Sequence, residues 1–269
     1  MTSSRSRALL LLAHGAKSNP DSSRPAYIHA EFIRRRQIFQ EVVASFWRED
    51  PHWRQALQLV VSDDVFVIPF FMSDGYFTQQ VIPRELQLTG TVTVRDSRRI
   101  VYGAPVGTHP SMTRSLRHAA ENILSPIHGR IPAHREVTLV LVGHGTTKNE
   151  QSGEALLQQI SLLEKEASFA AVLPAFMEQA PFDRDVLSRV RTPFVVVVPF
   201  FISDGLHSRH DVPVNIGFAK QGETWQNPVA IGSKFPCGPQ WLWYAHAIGS
   251  EPSMADVILD RCRDLERHL

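Results

Sequence analysis

The stretch Val195-Val-Val-Val-Pro-Phe-Phe-Ile-Ser-Asp-Gly-Leu-His-Ser-Arg-His-Asp-Val-Pro213 decides the fold. Four β-branched residues in succession suit a strand buried on both faces of a parallel sheet. The strand is expected to end at Pro199. A loop then carries Asp204, Gly205, His207, His210 and Asp211, and Pro213 suits the first turn of a helix. In an open α/β sheet, ligands bind beyond the carboxyl ends of the strands. This loop therefore sets two histidines and two carboxylates where such a sheet does its chemistry.

The same stretch occurs 130 residues earlier, as Val65-Phe-Val-Ile-Pro-Phe-Phe-Met-Ser-Asp-Gly-Tyr-Phe-Thr-Gln-Gln-Val-Ile-Pro83, with nine of nineteen positions identical. The strand and turn repeat, but the polar chemistry does not: Phe77, Gln80 and Val81 stand opposite His207, His210 and Asp211. Three further matches extend the repeat. His14-Gly15 after the apolar run Ala8–Ala13 pairs with His144-Gly145 after Val137–Gly143, each His lying 55 residues before Pro69 or Pro199. Ser45-Phe-Trp-Arg-Glu-Asp-Pro51 pairs with Ala175-Phe-Met-Glu-Gln-Ala-Pro181. At an offset of 142, Gly107–Met112 pairs with Gly249–Met254. About twelve extra residues thus enter the second half between Pro213 and Tyr244, in a segment holding Trp225, Trp241 and Trp243.

The chain reads as a tandem duplication of one α/β unit, with domains expected at 1–125 and 136–269 and a Pro/Gly-bearing linker between them. In the first half, strands are expected at Ala8–Ala13, Val42–Trp47, Val65–Phe70 and Ile100–Tyr102. Helices are expected at Pro25–Gln40, Pro51–Leu59, Pro83–Leu88 and Ser111–Ile123. Alternation of the two predicts parallel sheets.

Composition excludes several classes. With 269 residues and 43% apolar content, the chain builds a full core. Lys plus Arg is 28 against 27 for Asp plus Glu, so net charge drives neither nucleic-acid nor membrane-surface binding. Two cysteines support neither a disulfide scaffold nor a four-Cys cluster. The amino-terminal apolar run is too short for a secretory signal and no run is long enough to span a bilayer, so a cytoplasmic location is expected.

In the second half, His144, Glu178 and His207 follow three successive strands and share one carboxyl edge. Two His and one Glu form a typical ligand set for a divalent transition metal with open positions. Each residue alone has a plainer reading: a loop histidine bonded to backbone, a carboxylate favoured at a helix start, a surface imidazole. The joint pattern is what points to metal, because the first half replaces the set by His14, Arg48 and Phe77. His14 is read as structural or substrate-facing. His29, His52, His118, His128, His134 and His268 are read as surface residues, and the tryptophans of the insertion as core or lid.

These motifs resemble the class II tetrapyrrole chelatases. The likeness is to the long, duplicated form of sirohydrochlorin cobaltochelatase or ferrochelatase (CbiX/SirB-like). It is carried by Leu141-Val-Gly-His-Gly145, Ala175-Phe-Met-Glu178 with Pro181, Pro199-Phe-Phe with Gly205-Leu-His207, and Asp211-Val-Pro213. The resemblance covers nearly the whole chain. It implies two flavodoxin-like domains facing a cleft in a monomer made by internal duplication. It also implies ATP-independent insertion of Co²⁺ or Fe²⁺, with Ni²⁺ or Zn²⁺ as other candidates, into a tetrapyrrole of cobalamin or siroheme synthesis. The chain indeed has no G-x-x-x-x-G-K-[ST] phosphate loop. By the same resemblance His144 and His207 handle the metal and Glu178 supports them as ligand or base. Lys148, Arg184, Arg209 and His210 are candidates for holding substrate carboxylates. A non-catalytic metal or tetrapyrrole carrier on the same fold is the alternative. A histidine phosphatase is disfavoured because Ala13 and Gly143, not Arg, precede the two histidines. A zinc hydrolase would need a further base outside the ligand set.

Overall fold

The computed structural model describes residues 6–17, 19–146, 151–220, 222, 229–234 and 241–267. It divides into two compact units, Met1–His109 with Pro252–Leu269, and Pro110–Glu251.

In the first unit, β1 (Arg7–Ala13), β2 (Glu41–Phe46), β3 (Asp64–Pro69), β4 (Val92–Arg95) and β5 (Arg98–Tyr102) form one sheet in the order β2-β1-β3-β5-β4. β1, β2, β3 and β5 run parallel, as the apolar runs predict. β4 does not: it pairs antiparallel with β5, which corrects the expectation of a purely parallel sheet. The cause is local. Asp96 and Ser97 both take positive φ, 50° and 66°, and close a tight hairpin, which can only join antiparallel strands.

The sheet is buried on both faces. Leu9, Leu10, Leu11 and Leu12 are fully buried, each burial contributing about 1.5–3 kcal/mol. Leu10 and Leu12 join Trp53, Val65, Val67 and Ile82 of α2 (Ile82–Leu86) in one cluster. On the other face lie α1 (Arg24–Arg35), which packs on β2, and α7 (Met254–Arg267), which packs on β3. α1 turns Ala26, His29, Ala30 and Ile33 inward at helical spacing. His29 is therefore a core residue 5.4 Å from the Phe70 ring, not the surface residue expected.

The second unit repeats the plan with β6 (Val137–Gly143), β7 (Ala171–Phe176), β8 (Phe194–Pro199), β9 (Val229–Lys234) and β10 (Trp241–Tyr244), in the order β7-β6-β8-β10-β9. β9 is again an antiparallel edge. Val195–Val198 are fully buried. On one face they meet α5 (Val186–Arg189) and α6 (Val212–Asn215). On the other lie α3 (Met112–Ile123) and α4 (Gln151–Glu166). Trp243 is fully buried and donates its indole N–H to Ser125 Oγ at 2.9 Å, so it is core; Trp225 lies outside the described residues.

The compact units thus differ from the two contiguous sequence repeats. α3, encoded after the first repeat's strands, covers β8 of the second unit, and α7 covers β3 of the first. The Gly107/Gly249 match has a steric origin. A Cβ would fall 2.0 Å from the Met72 carbonyl oxygen at one and 2.1 Å from that of Ile202 at the other. Among the described residues, no helix is long and apolar enough to cross a membrane.

Candidate metal-handling site

The carboxyl edge of the second sheet is built from short turns that leave little choice of side chain. Gly145 sits at φ +68°, and a Cβ there would meet the side chain of Gln179 at 2.7 Å and Phe176 Cβ at 3.0 Å. Only glycine fits, and the tight turn stands His144 at the end of β6. The Met177 and Glu178 amides donate to the Gly143 and His144 carbonyls at 3.1 and 3.0 Å, fastening the loop after β7 beside it. His144 Nδ1 lies 2.9 Å from the Gly145 carbonyl, which can only accept, so Nδ1 carries the proton and Nε2 is left with a free lone pair. The Glu178 carboxylate stands 3.7 Å from the same Nδ1.

His207 arrives from β8. The loop expected there is in part a π-turn, His207–Asp211, that runs directly into α6. The Val212 amide donates to the His207 carbonyl, an i to i+5 bond. The next rung would run from residue 213 to the Ser208 carbonyl, but Pro213 has no N–H. The Tyr244 hydroxyl donates to that carbonyl instead, at 2.7 Å. The first unit solves the same problem in the same way. Its π-turn is Phe77–Val81, Pro83 blocks the bond to Thr78, and the Tyr102 hydroxyl donates to the Thr78 carbonyl at 2.5 Å. A strand tyrosine therefore pins each π-turn.

These turns bring His144 and His207 together, ring centroids 5.0 Å apart and edge to face at 82°. Their side chains are 45% and 49% exposed, open enough to meet a ligand. His207 Nδ1 donates to Asp211 Oδ2 at 2.7 Å, and His210 Nδ1 lies 3.0 Å from Asp211 Oδ1. Burial pushes the Asp211 carboxyl up, but the hydrogen bonds from His210 and His207 outweigh it and hold the group below its ordinary value. An ionised carboxylate that fixes Nδ1–H and frees Nε2 is the arrangement that orients metal-bound histidines. Both imidazoles thus offer Nε2. Glu178 stands beside His144, and among the described residues no three His, Cys, Asp or Glu side chains close into a ready metal cage.

Arg209 lies on the π-turn, and Arg184 stacks over its neighbour Phe182, 3.9 Å from the ring centroid. Lys148 lies outside the described residues.

In the first unit His14 reproduces the turn of His144, with Nδ1 2.9 Å from the Gly15 carbonyl. Its ring faces Phe77 at 5.0 Å and 85°. The duplication keeps the ring spacing and exchanges one imidazole for a phenyl. Phe77 is enclosed by Trp47, Trp53, Phe71 and Tyr76, each 5.8–6.1 Å away. Where the second unit has Glu178, this one has Arg48, and the ring that faces His14 is a phenyl rather than an imidazole.

Two histidines escaped the sequence reading. His109 is buried and bonds Asp264 at 3.1 Å within the first unit; burial lowers its pKa. His246 follows β10 on the same edge as the other three residues and bonds the buried Asp204 at 3.0 Å. The available signal was its place just after the Trp241–Tyr244 strand, the position that marks His144 after its own.

Comparison with known proteins agrees with this architecture. The CbiX family model matches residues 8–123 and 138–265, one copy per repeat. A probable sirohydrochlorin cobaltochelatase of Halobacterium salinarum is 37% identical over 276 residues, covering 96% of this chain and 91% of that protein. A multi-domain protein of Deinococcus radiodurans, described as structurally similar to chelatases, superposes with a TM-score of 0.80 at 30% identity. The match covers 96% of this chain and 54% of the Deinococcus chain. SirB from Bacillus subtilis with Fe³⁺ shares the fold, with a TM-score of 0.73 at 17% identity and coverage of 97% and 95%.

Proposed function

The chain belongs to the CbiX family, and from that premise we propose that it inserts a divalent metal, cobalt or iron, into a sirohydrochlorin-type tetrapyrrole without ATP, at the carboxyl edge of its second unit. The observation that carries the assignment to this edge is the His144–His207 pair. The two rings stand 5.0 Å apart, and each Nδ1 is tied to a local acceptor, so both Nε2 atoms are free for the metal.

The metal is a substrate here, and it has to be held weakly enough to be handed on. Two neutral imidazoles bind cobalt or iron readily. Both are roughly half exposed, which leaves the remaining coordination positions to water and then to the ring nitrogens. Glu178 supplies negative charge beside the pair, offsetting the charge of the incoming ion. Arg209, His210 and Arg184 offer cations and donors for the carboxylates of the ring. The first unit, with Arg48 and Phe77 in place of a carboxylate and an imidazole, keeps the fold without a metal-holding pair. On this reading the second unit holds the metal site, and a monomer suffices.

The test is spectroscopic. Purified protein is mixed with sirohydrochlorin and Co²⁺, then with Fe²⁺, and the ring absorbance is followed against a protein-free control. Protein-dependent metallation, abolished in His207→Ala with the fold intact by circular dichroism, is expected. A fully active His207→Ala variant would remove the site assignment. Ring binding by the wild-type protein without metallation would replace the enzyme by a carrier.

A further inference from the structure

His246 is the residue on this edge that metal holding does not use. β10 lies beside β8, and β8 beside β6, so at about 4.8 Å per strand its carboxyl end is roughly 10 Å along the edge from that of β6. The imidazole is 42% exposed. Its partner Asp204 is only 5% exposed. Asp204 Oδ2 faces His246 Nδ1 at 3.0 Å, and Oδ1 accepts the Ala247 amide at 2.8 Å. Burial pushes the Asp204 carboxyl up, but hydrogen bonds from His246, the Ala247 amide and Ser250 prevail and keep it below its ordinary value, hence ionised. His246 Nδ1 is then the donor, and Nε2 keeps the lone pair.

The duplication makes a comparison inside the chain. Asp204 has its counterpart in Asp74, within the repeated Ser-Asp-Gly, but His246 falls opposite Ala104. The carboxylate is common to both units. The imidazole occurs only in the unit that has the His144–His207 pair.

The chemistry requires such a group. When a divalent ion enters the ring, two pyrrole N–H bonds break, four metal–nitrogen bonds to the ring replace the ion's bonds to imidazole and water, and two protons leave; nothing is oxidised or reduced. An imidazole holding the metal through Nε2, with its Nδ1–H already bonded to Gly145 O or to Asp211, has no lone pair left for a proton. A further base is needed while the ion is held. Resting on the chelatase reading above, we propose that His246, held by Asp204, is the base that takes the pyrrole protons. Nε2 accepts one proton, the adjacent carboxylate stabilises the imidazolium, and the exposed edge releases the proton to water before the second is taken. Among the described residues Glu251, half-buried, also lies near His246, and burial pushes its carboxyl up against the opposing charges of His118 and His246.

The experiment compares wild-type protein with His246→Ala in cobalt insertion into sirohydrochlorin, in Co²⁺ affinity by calorimetry, and in the response of the rate to added imidazole. The expected result is a kcat lower by about 10²–10⁴-fold, a Co²⁺ Kd unchanged, and partial recovery with imidazole. A variant that turns over at the wild-type rate overturns the inference. So does a Kd that weakens in step with kcat, which would make His246 a ligand, or a slow variant that imidazole does not help. A wild-type protein that metallates nothing overturns the chelatase reading itself, a different failure from an active His246→Ala.

Discussion

Replacing Tyr244 by Phe tests whether a single hydroxyl holds the π-turn in working geometry. The hydroxyl donates to the Ser208 carbonyl at 2.7 Å, in a site where Tyr244 is fully buried and Pro213 has no N–H to offer. A typical intramolecular hydrogen bond contributes about 0.5–1.5 kcal/mol, and up to about 3 kcal/mol is lost where a buried carbonyl gains no other donor. The second unit spans about 140 residues, Pro110–Glu251. At about 2.1 cal/mol/K per residue its unfolding entropy is about 0.3 kcal/mol/K, so a loss of ~1.5 kcal/mol lowers its Tm by about 5 °C. The functional effect should exceed the thermal one. His207 opens the turn whose second carbonyl is released, and a displacement of about 1 Å in a reacting group can cost on the order of 10²-fold. Calorimetry and the cobalt-insertion assay read the two effects separately. Tyr102→Phe is the matched control: it removes the same kind of bond, to Thr78, in the unit without an imidazole pair. It should lower Tm and leave the turnover rate unchanged. The reasoning fails if Tyr244→Phe keeps wild-type turnover, or if Tyr102→Phe slows the reaction equally.

Asp211→Asn should weaken Co²⁺ binding by about 10–100-fold while the fold survives, because the carboxylate that fixes the His207 tautomer is gone; calorimetry giving wild-type affinity would show that Asp211 does not orient the ring. Phe77→His should not create a second metal site, since Arg48 and Val81 stand where Glu178 and Asp211 would be needed. The Co²⁺ stoichiometry should stay as in wild type. Stability should fall by about 1–3 kcal/mol as a polar ring enters the Trp47, Trp53 and Phe71 cluster.

Much of this was readable before any coordinates. The β-branched run Val195–Val198 marks a doubly buried strand because few other environments favour such a sequence. The equal spacing of two His-Gly turns from two Pro-Phe-Phe turns marks the duplication. His144, Glu178 and His207 fall on one edge because each follows a strand of a parallel sheet. What was not readable depends on partners distant in sequence. The π-turn after Gly205 has no propensity signature; it follows from a proline with no N–H and a tyrosine 36 residues past Ser208. His29 is polar in composition but falls on the inward stripe of α1, where geometry overrides polarity. Nor do the repeats tell which sheet α3 and α7 cover, since two near-identical sheets accept either amphipathic helix. Asp204 was in view, but its bond to His246 spans the insertion, where the 130-residue register breaks.

The placement of α7 bears on the order in which the protein comes into being. A ribosome delivers residues 1–109 well before 252–269, yet the unit they form needs both. Met254, Val257, Ile258 and Cys262, buried in the finished molecule, are still untranslated when the first sheet is already made. The second unit, by contrast, takes α3 from chain synthesised before its own strands and has its full set of elements as soon as Glu251 is clear. The unit translated first is therefore the last to be finished. Its apolar sheet face waits through the synthesis of the second half, and the arrival of α7, not of the linker, covers it.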